Sequence, residues 1–356
     1  MAYTTINKPN LHFNTLTYTG DAVSPRTVTG VGFKPDFTWI KNRTRAGNTA
    51  LNDNVRGVGT GVYKALSTEG TGAEGTNGES GYGYVNAYAS DGFTLTTGST
   101  AYDIVNRSGD SYVAWNWLGS GTTAVTNTQG TLTASVSANQ TAGFSICRIT
   151  EAGSYSGVQT FGHGLGVAPS MVIYRQANTG SNWQVYHKVT GTGLTQLNST
   201  AGVNTSANFF PASTSTTFSL SENVQAPTYT SIAYCFADIK GFSKFGSYVG
   251  NANADGTFVY TGFKPAFILT KYISGEGINW NIKDTARERF NVTTQYLIPN
   301  LNIAEGGGST WTMDILSNGF KIRTSDGLLN SSGTYIYAAF AEQPLVGTNN
   351  VPATAR

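Results

Sequence analysis

The segment Gly32-Phe33-Lys34-Pro35-Asp36-Phe37-Thr38-Trp39-Ile40-Lys41 returns almost unchanged as Gly262-Phe263-Lys264-Pro265-Ala266-Phe267-Ile268-Leu269-Thr270-Lys271. A weaker third copy lies between them, Gly166-Val167-Ala168-Pro169-Ser170-Met171-Val172-Ile173-Tyr174-Arg175. Proline fixes φ and lacks a donor, which suits the entry to a strand and excludes its centre. A strand is therefore expected just after each proline. Beyond it, Phe37, Met171 and Phe267, then Trp39, Ile173 and Leu269, then Lys41, Arg175 and Lys271 recur at every second position. Period two assigns them to one face, ending in a cation expected at the rim.

A second block recurs with the first. Val113-Ala114-Trp115-Asn116-Trp117, Ile232-Ala233-Tyr234-Cys235-Phe236 and Ile336-Tyr337-Ala338-Ala339-Phe340 alternate apolar and small residues and read as buried closing strands. The spacing from Pro35 to Val113, Pro169 to Ile232 and Pro265 to Ile336 is similar, so three tandem copies of one unit are the simplest account. Asp91-Gly92-Phe93 and Asn318-Gly319-Phe320 are matching hairpin signals, whereas the middle copy has Thr217-Phe218 and loses the glycine. The expected fold class is all-β: three tandem β-sandwich domains with extended terminal arms. Expected boundaries are an arm at 1–15, sandwiches at 16–118, 131–238 and 239–343, a Gly/Ser/Thr linker at 119–130 and an arm at 344–356. The short junction from Asp238 to Gly241 should hold the second and third domains together.

The chain has 356 residues, with 22 basic against 20 acidic side chains and 43 glycines. Neither the basic excess of a nucleic-acid binder nor the charge density of a disordered chain is present. No apolar run is long enough to span a bilayer, and the segment from Met1 to Pro9 has no apolar signal region, so a chain made in the cytoplasm without membrane insertion is expected. Cys147 and Cys235 are read as reduced, buried thiols; whether they lie close is open.

Catalytic options are few. His163 reads as a turn cap, His187 as a polar rim residue matching Asp53 and Asp284, and His12 lies in the arm. No metal spacing or Cys-x-x-Cys occurs, and Gly78-Glu79-Ser80-Gly81-Tyr82 fails as a nucleophile elbow. Glu69, Glu74 and Glu79 could be offered as an acid pair, but sit among glycines where nothing is expected to bury one and raise its pKa. No catalytic residue, metal or cofactor is therefore expected. Tyr82, Tyr84 and Tyr88, in the glycine-rich stretch from Glu69 to Asp91, are the candidates for stacking on a glycan, against packing of their own loop.

Gly-Phe-Lys-Pro following Tyr18-Thr19-Gly20 or Tyr248-Val249-Gly250, the Tyr112-Val113-Ala114-Trp115-Asn116-Trp117 strand, and the end from Ala341 to Arg356 resemble a family of tailed-bacteriophage virion proteins over nearly the whole chain. His163-Gly164-Leu165-Gly166-Val167-Ala168-Pro169 is also similar to a turn in phage fibre proteins. The resemblance implies sandwiches of jelly-roll or lectin-like (laminin-G-like) architecture in a non-enzymatic virion structural protein, a tail-fibre or spike component engaged in host attachment. Implied partners are other virion proteins, further copies of itself as a homo-oligomer, and a host surface glycan or protein. Capsid decoration or tail connection through the arms, and glycan depolymerisation, stand as alternatives.

Overall fold

The computed structural model describes residues 3–75, 81–99, 101–150, 157–206, 208–221, 229–346 and 352–354. The fold is all-β, 43% strand and 3% helix, and no described helix is long and apolar enough to cross a membrane.

One antiparallel strand order occurs three times: opening, closing, proline, then hairpin strand. In the first copy these are Phe13–Thr19, Ser111–Trp117, Phe37–Asn42 and Ala50–Asp53. In the second they are Phe144–Thr150, Thr230–Phe236, Met171–Gln176 and Gln184–His187; in the third, Ser243–Gly250, Gly333–Pro344, Phe263–Tyr272 and Asn281–Asp284. The second sheet grows to seven strands by adding Thr195–Gln196 at one edge and Ala134–Asn139 with Val125–Asn127 at the other.

A small sheet packs on each large one. Val28 and Phe93 of Arg26–Thr29 and Gly92–Thr96 cover Ile40, Tyr112 and Ala114, while Phe161 and Phe218 cover Val172 and Cys235. In the third copy Met313–Leu316, Gly319–Ile322 and Phe258–Tyr260 form this layer. Two-residue turns join Ala89 to Gly92 and Leu316 to Gly319, as Asp-Gly and Asn-Gly suggest. A Cβ on Gly92 would lie 2.0 Å from the Val28 carbonyl oxygen, and one on Gly319 2.0 Å from that of Val259. In the middle copy the glycine has changed strands, since Thr217 pairs with Gly162.

The proline strands are buried on both faces. In Phe37–Asn42 every residue is buried: Phe37 and Trp39 join a central cluster, and Ile40 joins the cluster under the small sheet. Alternation thus separates two apolar cores, not core from solvent. In the third copy the strand begins before its proline, at Phe263, because the long closing strand continues pairing to Pro344; Pro265, with no N–H to donate, sits at a shift of register.

The central cluster draws side chains from all three copies. Trp117, Phe236 and Phe340 hold the same register position, opposite Phe37, Met171 and Phe267. Their ring centroids form a nearly equilateral triangle of 6.2, 5.8 and 5.6 Å, so the three large sheets close around one aromatic centre.

Polar ties run round this centre in one sense. Lys41 Nζ donates to Leu301 O (2.9 Å), Arg175 Nη2 to Gly72 O (2.8 Å) and Lys271 Nζ to Thr200 O (3.1 Å): first copy to third, second to first, third to second. The expectation of rim cations is therefore corrected. All three are fully buried, because the inner face of each proline strand ends against the neighbouring copy rather than at solvent. Thr68 Oγ1 to Pro299 O, Trp183 Nε1 to Ser67 O and Trp280 Nε1 to Gln196 O, at 2.6, 2.7 and 2.9 Å, repeat the circuit.

The terminal and linker segments also differ from expectation. Strand pairing starts at Phe13, and residues 3–12 lie on the chain itself: Ile6 enters the central cluster and Tyr3 Oη donates to Gly262 O at 2.6 Å. Ile6, Pro9 and Phe13 supply the apolar side chains for this docking, all buried. The stretch read as a linker contains the edge strand Val125–Asn127, and Gly121 N donates to Asp36 Oδ2 at 2.8 Å. Near the end, Ala353 N donates to Leu345 O at 2.9 Å; residues 347–351, 355 and 356 of the expected arm lie outside the described residues.

Candidate functional site

Of the three candidate tyrosines, two are committed to packing. Tyr84 is buried, its hydroxyl accepting from Gly61 N at 3.0 Å and its ring edge-on to Tyr63 at 4.8 Å. Tyr88 is buried and donates to Asn52 O at 2.8 Å. Neither can stack on a ligand, which corrects that expectation; the strand Tyr84–Ala89 turns them toward the rest of the first copy.

Tyr82 precedes that strand and is half-buried, with Tyr102 beside it at 5.9 Å and 44° between the rings. Tyr102 is 63% exposed. The two flank a groove of about 180 Å³ that also takes Arg45 and Asn48 from the first copy and Asn302 from the third. Wider clefts of about 340 Å³ along residues 120–140 and about 270 Å³ beside Phe13 offer no exposed aromatic ring.

Each wall is fixed by short polar contacts. Asp103 Oδ1 accepts from Val105 N and Asn106 N, both at 2.8 Å, and its Oδ2 accepts from Gly98 N at 3.0 Å, which sets the turn carrying Tyr102. Burial pushes this carboxyl up, and the three N–H donors oppose the shift. Ile104 N donates to Tyr82 O at 2.9 Å, tying the two tyrosine loops together. On the other wall Asn42 Oδ1 accepts from Thr44 N at 2.8 Å and Arg45 N at 3.1 Å, a side-chain-mimicked turn that launches the Arg45–Asn48 loop.

The third-copy wall reaches the groove through the cross-copy ties. Lys41 holds Leu301, and Arg43 Nη2 meets Glu305 Oε2 at 2.7 Å, so Asn302 between them can donate from Nδ2 to Asn48 Oδ1 at 2.7 Å. That bond leaves Asn48 Nδ2 as a donor and Asn302 Oδ1 as an acceptor. Arg45 Nε lies 2.7 Å from Asp110 Oδ2, which also accepts from Asn42 Nδ2 at 2.8 Å, so the groove carries no net charge from this pair.

The remaining polar candidates have structural partners. Glu69 accepts from Thr49 N (3.1 Å) and Thr49 Oγ1 (2.8 Å), and burial pushes its carboxyl up, which corrects the expectation that nothing would bury it. Glu74 instead faces Arg56 at 3.4 Å, so the two are not an acid pair. Glu79 and Ser80 lie outside the described residues. His163 caps its turn: Nδ1 accepts from Leu165 N and Nε2 donates to Thr214 O, both at 3.1 Å.

His187 stands opposite Met171, as Asp53 stands opposite Phe37 and Asp284 opposite Phe267. It is buried, not at a rim, with Nε2 donating to Tyr337 O at 3.2 Å, and burial pushes its imidazole down to about 4. His12 Nδ1 faces Asn139 Nδ2 at 3.3 Å. Cys147 and Cys235 are free, buried thiols. Among the described residues no group of three His, Cys, Asp or Glu side chains could hold a metal ion.

Sequence reasoning reached Tyr82 but missed Tyr102, Asn48 and Asn302. Tyr102 could have been found as the aromatic in the loop following the Phe93 strand; the asparagines, 254 residues apart, gave no signal. The sequence model of a family described as a domain of unknown function, DUF7483, matches residues 8–344 in one span covering all three copies. No curated protein and no solved structure matches the chain.

Proposed function

The chain belongs to the DUF7483 family, and we propose that it is a non-enzymatic structural component of a tailed-phage virion, a tail-fibre or spike module that contacts the host surface. In this reading it is built as three β-sandwich modules closed into one body. The observation that carries it is the aromatic triangle of Trp117, Phe236 and Phe340 with its cyclic ties, which commits the buried cations to holding the body rigid. Rigid elements with ligand-contacting loops outside are what an attachment module requires. The resemblance of the repeated Gly-Phe-Lys-Pro blocks to phage virion proteins supports the particle assignment.

Two measurements test this. Mass spectrometry of purified phage should find the chain in the particle, and immunogold should place it on the tail. Added recombinant protein should compete with phage for adsorption to host cells. Absence from the particle refutes the proposal; gold on the capsid makes the chain a decoration protein; release of reducing ends from host glycan makes it a depolymerase.

A further inference from the structure

We infer that the groove between Tyr82 and Tyr102 is a binding site for a single neutral sugar ring of the hexose class. The inference rests on the attachment reading and supplies the chemistry of its contact.

The walls combine the two things a pyranose presents. Its axial C–H face is apolar and needs a flat, polarisable surface; Tyr102, 63% exposed and inclined 44° to Tyr82, offers one. Its equatorial hydroxyls are each donor and acceptor. The Asn48–Asn302 pair, joined by one 2.7 Å bond, presents a remaining amide donor and a remaining amide oxygen side by side, which matches neighbouring hydroxyls. Arg45, held at 2.7 Å by Asp110, keeps further N–H donors on the same wall.

Size and charge narrow the class. At about 180 Å³ the groove is smaller than the ~300–1,000 Å³ of sites for drug-sized ligands, so it accepts one ring with the chain continuing into solvent. Asp110 neutralises Arg45, and Asp103 nearby is bonded to three backbone N–H groups, so nothing here supplies a net positive charge for a sialate or a sulfated sugar. A stacking platform, paired amides and a lining without positive excess together describe a neutral saccharide site.

The test is saturation-transfer NMR on the full chain with methyl glycosides of glucose, galactose, mannose and N-acetylglucosamine, and with sialic acid as the anionic arm. At least one neutral glycoside should receive saturation, strongest on the protons of one ring face. Tyr102→Ala and Asn302→Ala should each weaken binding tenfold or more. Both residues are exposed, so the variants should keep the wild-type melting temperature, which is measured alongside. No transfer to any neutral glycoside, equal transfer in the variants, or preference for sialic acid overturns the inference. Detection of the chain in phage particles is read separately, so the attachment proposal survives or fails on its own evidence.

Discussion

Trp115 Nε1 donates to Asp284 Oδ2 at 3.0 Å, joining the closing strand of the first copy to the hairpin strand of the third. The same carboxylate accepts from Arg287 Nε at 2.5 Å and, through Oδ1, from Arg287 N at 3.0 Å, all inside the protein. Tyr234 Oη makes the equivalent bond to Asp53 Oδ2 at 2.8 Å, and Arg56 takes the place of Arg287. Each hairpin carboxylate thus neutralises its own arginine and receives the neighbouring copy.

Asp284→Ala should lower stability by about 3–5 kcal/mol, since Arg287 would remain buried beside Glu305 without its principal partner. Trp115→Phe, which removes only the N–H donor and part of a ring, should cost less. Chemical denaturation with an unchanged m-value would check both; a small Asp284→Ala effect would mean that Glu305 alone suffices.

Phe340→Ala should cost about 3–5 kcal/mol, the range for emptying a buried aromatic site. Phe340 touches Trp117 and Phe236 of the other copies, so the loss should lower one calorimetric transition of the whole chain. A scan in which only one of several transitions moves would contradict a shared core.

Stability should rise between pH 7 and 9. Burial pushes the Lys283 ammonium down to about 7 and that of Lys271 to about 8, from the ordinary 10.5. Between the folded and unfolded values the unfolded chain binds more protons, so unfolding becomes less favourable as pH increases, by up to about 1.4 kcal/mol per pH unit for each lysine. Near pH 10 the trend should reverse, because burial pushes the hydroxyls of Tyr18, Tyr88 and Tyr248 well up. A melting temperature that is flat or falling from pH 7 to 9 would show that these lysines keep their charge.

The two ends should behave differently. Ile6→Ala should cost about 2–5 kcal/mol, because Ile6 is 2% exposed in the central cluster. Truncation after Val346 removes no strand of the three large sheets and should leave the melting temperature in place; under the proposed virion role it should reduce incorporation into the particle. Normal incorporation of the truncated chain would assign attachment to the sheets alone.

Much of the local order was readable from residues. The period-two recurrence through Phe37, Trp39 and Lys41 placed the proline strands, and the matching of His187 with Asp53 and Asp284 is the register found. Asp91-Gly92 and Asn318-Gly319 located hairpins because glycine there avoids a carbonyl 2.0 Å away. Tyr82 was visible as an aromatic in a glycine-rich stretch.

What covers each face was decided by tertiary structure. Period two says that Phe37, Trp39 and Lys41 share a side, but an apolar row looks the same whether it meets its own small sheet or two neighbouring copies. A cation at the end of such a row looks the same at a rim as at the carbonyl of Leu301. Burial is a property of the assembled surfaces, and here the assembly is closed by contacts such as Thr68 with Pro299, 231 residues apart. Local pattern carries no record of that distance, so the strands belong to the sequence, while the shared core and the groove beside Tyr102 belong to the way three copies meet.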